Sequence, residues 1–301
     1  MTTKEEDYVE HLFVANTHDT ILFFTAGGRV YAEKVYEIPE AGRTAKGKAI
    51  VNMLNLKNDE KIAAMIKIRD FKDSEFLVMA TAKGIVKKTN LMDFANIRKD
   101  GIIAINIDPD DMLIAVKLTN GNNELILATK KGMSIRFPEK QLRDQGRATR
   151  GVRGIRLEEN DTVEAMELVQ EESTFFICTE NGYGKRSSFD EYRLQKRGGR
   201  GIIAIKTTER NGLVIGAHAV KDEQSLMLIT AKGKMIKIAV KEVRVIGRAT
   251  QGVKLISLEE EDKLVAATTI EPDDYEENNK QTDNTTENEI TTIIPPSPSI
   301  P

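Results

Sequence analysis

Short apolar runs closed by Thr-x-x-Gly recur five times along this chain. Ile21–Phe24 precedes Thr25-Ala26-Gly27-Gly28, and Phe76–Ala80 precedes Thr81-Ala82-Lys83-Gly84. Leu125–Ala128, Phe175–Cys178 and Leu226–Ile229 precede Thr129-Lys130-Lys131-Gly132, Thr179-Glu180-Asn181-Gly182 and Thr230-Ala231-Lys232-Gly233. Each block reads as a strand, a tight turn that needs a positive-φ residue, and a second strand. The glycines lie about 50 residues apart, the unit size of propeller-like arrays. Two further signatures follow each hairpin at the same period. The first is a Gly with an apolar strand behind it: Gly47-Lys48-Ala49-Ile50-Val51, Gly101–Ile105, Gly151–Ile155, Gly201–Ile205 and Gly252–Ile256. The second is a strand carrying a small residue, as in Ile62-Ala63-Ala64-Met65, Leu113–Val116, Val163–Met166, Val214–Ala217 and Leu264–Ala267. Small residues at one station of every unit suit a crowded axis on which successive strands converge. Helical periodicity is almost absent. The pattern predicts an all-β, propeller-like stack of five four-stranded blades over residues 1–270. It does not dictate whether the stack closes into a ring or stays an open spiral.

Composition changes the picture at the C-terminus. From Glu259 to Pro301 there are twelve acids and two lysines, a net of −10; the whole chain carries −3, so Met1–Leu258 carries +7. Residues 271–301, rich in Asn, Thr, Glu, Asp and Pro, hold too little apolar surface to offset ordering entropy and are expected to be a disordered acidic tail. A basic body with an acidic appendage predicts a polyanion-binding surface. The one cysteine, Cys178, lies in an apolar strand run, which reads as a buried structural thiol in a reducing compartment. No apolar run approaches a membrane span and residues 1–20 lack a signal-peptide core, so a cytoplasmic protein is expected.

The cations are placed periodically. Four residues after the hairpin glycines stand Lys88, Arg136, Arg186 and Lys237, with Ala32 in the first unit; Lys87 and Lys185 stand one position earlier. The loops before the glycine-strand signature add Arg43, Lys46 and Lys48; Arg98 and Lys99; Arg143, Arg147, Arg150 and Arg153; Lys196, Arg197 and Arg200; and Arg248. On a radial fold these stations are expected to form one cationic rim. The densest is Gln195-Lys196-Arg197-Gly198-Gly199-Arg200-Gly201, where glycines allow close backbone approach and Lys and Arg supply donors for phosphate oxygens. No interleaved aromatics accompany the cations, which argues against stacking on single strands. No recognition helix or base-reading Asn/Gln face is visible. The chemistry expected is duplex binding through the backbone, salt-sensitive and poor at reading sequence. Duplex DNA pressed along such a rim would be bent.

Catalysis has little to stand on. His11, His18 and His218 show no metal-ligand spacing, and neither a P-loop nor a Gly-x-Ser-x-Gly elbow occurs. Asp110-Asp111 and Asp273-Asp274 fall in a predicted turn and in the tail. Tyr192, beside Arg193, is the one tempting hydroxyl, and is expected to pack or to touch a phosphate. No metal and no small-molecule substrate is expected. A propeller that binds other proteins is the competing class.

Several motifs carry a family resemblance. Asn16-Thr17-His18-Asp19, Gly28-Arg29-Val30-Tyr31, Val152-Arg153-Gly154-Ile155-Arg156-Leu157, Asn181-Gly182-Tyr183-Gly184-Lys185-Arg186 and Glu209-Arg210-Asn211-Gly212-Leu213-Val214 resemble the C-terminal domain of the DNA gyrase A protein, over about Lys4 to Ile270. The resemblance implies a β-pinwheel whose rim wraps duplex DNA, within a type II DNA topoisomerase that introduces negative supercoils using ATP and Mg on other domains; this chain itself would need no cofactor. It implies the rest of the gyrase A protein and the gyrase B protein as partners, and no membrane. Gln195–Gly201 is similar to the family's Gln-Arg-Arg-Gly-Gly-[Lys/Arg]-Gly box, with Lys196 in place of the first Arg. The family has six blades with the principal box in the first, whereas five units occur here and the box-like loop is in the fourth. The expectation is therefore a non-catalytic C-terminal piece, the first blade and the cleavage domain preceding Met1. Topoisomerase IV, whose box is generally degenerate, is the sister alternative.

Overall fold

A computed structural model of the protein describes residues 15–39, 50, 53–57 and 60–272. The chain separates after Ile270 into two units, Met1–Ile270 and Glu271–Pro301. Apart from Glu271 and Pro272 the tail lies outside the described residues, as do Arg43, Lys46 and Lys48.

The first unit is all-β, with no α-helix among the described residues. Five hairpins, one per repeat, form its frame. They are β1 (Thr20–Thr25) with β2 (Arg29–Lys34), β4 (Phe76–Thr81) with β5 (Ile85–Asn90), β8 (Glu124–Thr129) with β9 (Met133–Pro138), β12 (Thr174–Thr179) with β13 (Tyr183–Ser188), and β16 (Ser225–Thr230) with β17 (Met235–Ala239). An inner strand pairs with the first strand of each hairpin: β3 (Ile62–Ile68), β7 (Leu113–Thr119), β11 (Val163–Leu168), β15 (Val214–Val220) and β19 (Leu264–Ile270). These are the strands that carry the small residues. They pack against one another in chain order, and Gly216 sits against Cys178 and Ala267, close enough that a Cβ there would already be in van der Waals contact with both.

The outermost strands do not stay with their own repeats. β6 (Ile102–Ile103), β10 (Val152–Arg153), β14 (Ile202–Ile203) and β18 (Val253–Lys254) pair with β2, β5, β9 and β13, each in the preceding blade. Four sheets therefore have four strands, and the fifth, β17-β16-β19, has three among the described residues. The hairpin turn fastens this exchange. All five turn glycines have φ between 78° and 83°, the left-handed region that costs other residues strain. In the first four blades the same glycine carbonyl accepts two N–H groups from the residues just after the incoming strand, as Gly132 O does from Ala204 (2.8 Å) and Ile205 (3.2 Å).

Both faces of the first four blades carry buried apolar layers, which explains why their first hairpin strands are apolar runs rather than alternating ones; β17 of the fifth blade has no buried residue. In β4, Leu77 and Met79 pack toward Leu22, Phe24 and Val30 of the first blade, while Val78 and Ala80 pack toward Leu125, Leu127 and Phe137 of the third. The core is thus a series of apolar layers between neighbouring blades. Cys178 lies fully buried in the layer between the fourth and fifth blades, and burial pushes its thiol pKa far up, which makes it an inert packing residue.

One polar chain runs along the inner strands. Glu167 on β11 accepts from Lys117 on β7 (2.7 Å) and faces His218 Nδ1 on β15 (3.4 Å), while His218 Nε2 lies 2.8 Å from the Ala267 carbonyl on β19. Burial works to raise the Glu167 pKa, but Lys117 and His218 outweigh it and hold the carboxyl below its ordinary value. A depressed carboxyl stabilises the fold above its unfolded pKa, and that contribution is lost as pH falls through the folded value. Urea melts of the wild type and of Glu167→Gln are expected to differ by about 1–2 kcal/mol at pH 7 and to converge toward pH 3. An equal gap at both pH values would rule out this link.

Candidate nucleic-acid interface

After the second strand of the hairpins comes a short 3-10 turn, as at Glu139–Gln141, Phe189–Glu191 and Val240–Glu242. The chain then crosses to the preceding blade and runs along the outer edge of its second hairpin strand. Single parallel bridges mark the crossing: Lys88 with Asp144, Arg136 with Leu194, and Arg186 with Val245. Backbone bonds repeat with them, Gln145 N to Lys88 O (2.9 Å), Gln195 N to Arg136 O (2.8 Å) and Ile246 N to Arg186 O (2.8 Å). From there each segment arches over the strand edge until a positive-φ glycine, Gly151, Gly201 or Gly252, returns it to the sheet as the outermost strand. We term these arches, 143–151, 193–201 and 244–252, straps. They lie at the edge farthest from the packed inner strands.

The box-like strap is seated by its glycines. A Cβ on Gly201 would fall 2.2 Å from Ser134 O, and Gly199 rests against Ile135. Gly198, with φ 78°, donates its N–H to Gly154 O, and Gly199 O accepts from Arg156 N (2.8 Å). Arg197 is half-buried and spends its guanidinium on carbonyls, Gln141 O from Nε and Arg153 O from Nη1, both 3.1 Å. Gln195 is also half-buried; its carbonyl accepts from Gln141 Nε2 (3.2 Å), while its own Nε2 has no protein partner among the described residues. Lys196 and Arg200 are exposed and unpaired among the described residues.

Five of the expected phosphate-binding cations are placed otherwise. Lys87 and Lys185 are fully buried beneath straps. Lys87 Nζ donates to the carbonyls of Ala104, Arg147 and Thr149; Lys185 Nζ donates to Ser187 Oγ, Gly247 O and Arg248 O. Lys88 is 7% exposed and paired with Asp144 at 2.9 Å. Arg136 binds Glu124 (2.7 Å) and the carbonyls of Phe189 and Tyr192. Arg186 is 4% exposed and binds Asp222 and Val243 O. A cation at this station anchors the turn or strap of the next repeat, because the strand edge carries the incoming chain, and its side chain does not reach the solvent rim. Lys237 is exposed, being on β17, whose edge carries no fourth strand among the described residues. Arg150 is exposed but paired with Asp108, Arg147 is half-buried, and Arg248 is half-buried with Nη1 on Ile203 O (2.7 Å). Tyr192 is buried edge-on against Phe175, with ring centroids 5.5 Å apart, and acts in packing.

The straps also align cations that share no station on the hairpin strands. Arg143, Arg193 and Arg244 each stand eight residues before the closing glycine, and all three are exposed. With Arg153, Lys196 and Arg200 they make six exposed cations without an acidic partner among the described residues. Superposing the repeats on the closing glycine rather than on the hairpin glycine reveals Arg244, which no motif contains. Among the described residues no cluster of His, Cys, Asp and Glu could hold a metal ion, and no helix is long and apolar enough to cross a membrane.

Five β-blades, four of them completed by a strand of the next repeat and three of those edged by basic straps, define a class of repeat domain. Comparison with known proteins assigns it: the family model "DNA gyrase C-terminal domain, beta-propeller" matches residues 19–69, 75–120, 123–170, 173–221 and 224–271, one per repeat, and the chain belongs to that family. The DNA gyrase A protein of Halalkalibacterium halodurans is 56% identical over 279 residues, covering 92% of this chain and 34% of the relative. That of Clostridium acetobutylicum is 48% identical over 277 residues, covering 92% and 33%. The chain thus spans about a third of the length of the curated relatives it matches. Among solved structures, the C-terminal domain of DNA topoisomerase IV matches with TM-score 0.79 at 27% identity, covering 91% of this chain and 86% of that one. A DNA gyrase A C-terminal domain matches with TM-score 0.74, also at 27% identity, covering 85% and 84%.

Proposed function

We propose that this chain is a non-catalytic module that binds and wraps duplex DNA along its straps, within an ATP-dependent type II topoisomerase of the gyrase kind. Its partners are duplex DNA, the remainder of the gyrase A protein, and the gyrase B protein, and its place is the bacterial cytoplasm at the nucleoid. The observation that carries the reading is the recurrence, on equivalent straps of three successive blades, of exposed Arg and Lys without an acidic partner among the described residues. Cations spaced this way neutralise phosphates one blade after another, and counterion release supplies the binding free energy. Bending the duplex along the blade edges is offset by the phosphate contacts each blade adds. The straps offer no base-reading side chains in a fixed frame, so specificity is low. Gln195–Gly201, together with the 56% identical gyrase relative, favours gyrase over topoisomerase IV.

The test is the salt slope of duplex binding with and without Lys196→Ala and Arg200→Ala together. Each phosphate contact contributes about 0.9 to that slope, so the double substitution is expected to lower it by about 2. If the slope is unchanged, the strap does not touch phosphate. A protein-binding propeller would in addition keep its main ligand when both residues are changed to Glu.

A further inference from the structure

We infer that Lys87 and Lys185 are positioning residues for DNA binding: buried ammonium groups that fix two straps at the height where their exposed arginines meet phosphate. This rests on the proposed function and deepens it. The two straps concerned share a sequence, Gly146-Arg147-Ala148-Thr149 and Gly247-Arg248-Ala249-Thr250. Each arches over the residue three beyond the hairpin glycine of the blade beneath. In the second and fourth blades that residue is Lys87 or Lys185, and its Nζ gathers the strap carbonyls of Arg147 and Thr149, or of Gly247 and Arg248. In the third blade the residue is Ile135, and the strap above it carries Gly198-Gly199, whose backbone sits down directly on the blade. A lysine thus goes with an Ala-Thr strap and an isoleucine with a Gly-Gly strap.

The lysines are not placed there for cheap burial. Neither ammonium has a carboxylate within bonding distance among the described residues, and a buried charge held by neutral acceptors alone is costly. Burial pulls Lys87 down to about 8, with Asp93 opposing and Arg147 adding to the shift. It pulls Lys185 down to about 7, with Glu191 opposing and Arg248 adding. Ile135 shows that an apolar side chain fits the same station at no such cost. What the ammonium supplies is direction. It turns two strap carbonyls inward, so that the strap's side chains at positions such as Arg143 and Arg244 face out.

The discriminating variant is Lys185→Ile, the residue the chain itself uses at the equivalent station, with Lys185→Met beside it. Removing a buried cation for an apolar side chain leaves Tm unchanged or raises it. The strap is expected to loosen, so the Ile246 amide, bonded to Arg186 O, should exchange roughly tenfold faster while the β12 and β13 amides keep their protection. Duplex affinity should fall roughly tenfold, because the strap arginines are ordered at the expense of binding. Exchange is read without DNA, which separates this idea from the function it rests on. The proposal is overturned if the Ile246 amide stays protected, if both variants unfold or lose Tm together with β12 and β13 protection, or if the strap loosens and affinity does not change. If Lys196→Ala with Arg200→Ala on the untouched third-blade strap also leaves affinity unchanged, it is the DNA-binding reading itself that fails.

Discussion

Raising salt from 50 to 200 mM is expected to weaken binding of this chain to a long duplex roughly 1,000-fold, as release from about six phosphates requires. The count comes from the straps and from Arg153 on the strand that follows the first of them. Arg143, Arg153, Arg193, Lys196, Arg200 and Arg244 are exposed and have no acidic partner among the described residues. Apart from the exposed Lys237, the stations on the hairpin strands contribute little to it. Lys88, Arg136 and Arg186 are already engaged by Asp144, Glu124 and Asp222, and Lys87 and Lys185 are out of reach of any phosphate. The measurement is a fluorescence or filter titration of one duplex at four or five salt concentrations. Charge reversal of Lys88 or Arg136 should then disturb folding before it disturbs the slope, while reversal at Arg193 or Arg244 should lower the slope and leave the fold alone. A slope near zero would remove phosphate contact as the basis of binding. A slope that survives reversal of all six residues would move the contact to another surface.

Much of this architecture is written in residue spacing, and one part is not. The hairpin glycines, the small inner residues and the five repeats follow from the sequence because each is a local demand. A left-handed turn needs Gly, as at Gly84 and Gly182, and a crowded axis needs Ala or Gly, as at Gly216. The exchange of the outermost strand is not a local demand. Ile202–Ile203 has the same position in the chain whether it closes its own blade or the one before, and only the pairing with Met133 and Ser134 decides. That choice governs where the cations point. Read with each repeat as its own blade, the edge of β9 is open and Arg136 is a rim residue; with the exchange, the edge carries the strap and Arg136 holds it. One signal of this nonetheless stands in the sequence. The station of Lys87 and Lys185 is filled by Tyr31, Ile135 and Ile236 in the other repeats, and a solvent-facing phosphate ligand does not alternate with isoleucine.

The exchange also makes the hairpin glycines beneath an incoming strand sensitive to substitution. Gly132→Ala is expected to destabilise the protein by about 3 kcal/mol, the sum of a left-handed alanine and an overpacked contact. Gly132 has φ 83°, and a Cβ there would lie 2.2 Å from Ile205 O and 3.1 Å from Ile205 Cγ2. The carbonyl it strikes belongs to the incoming strand segment whose N–H groups Gly132 itself accepts. One methyl group therefore pushes apart the third blade and the chain that completes it. The fifth blade provides the control. Gly233 has φ 80°, but nothing lies within 4 Å of its Cβ direction, since among the described residues no strand arrives on that edge. Gly233→Ala should cost only the backbone share, about 1 kcal/mol. Paired urea melts read the difference. A gap of about 2 kcal/mol assigns the excess to the exchanged strand, and equal losses at the two glycines would mean that the contact between Gly132 and Ile205 carries no weight in holding the blades together.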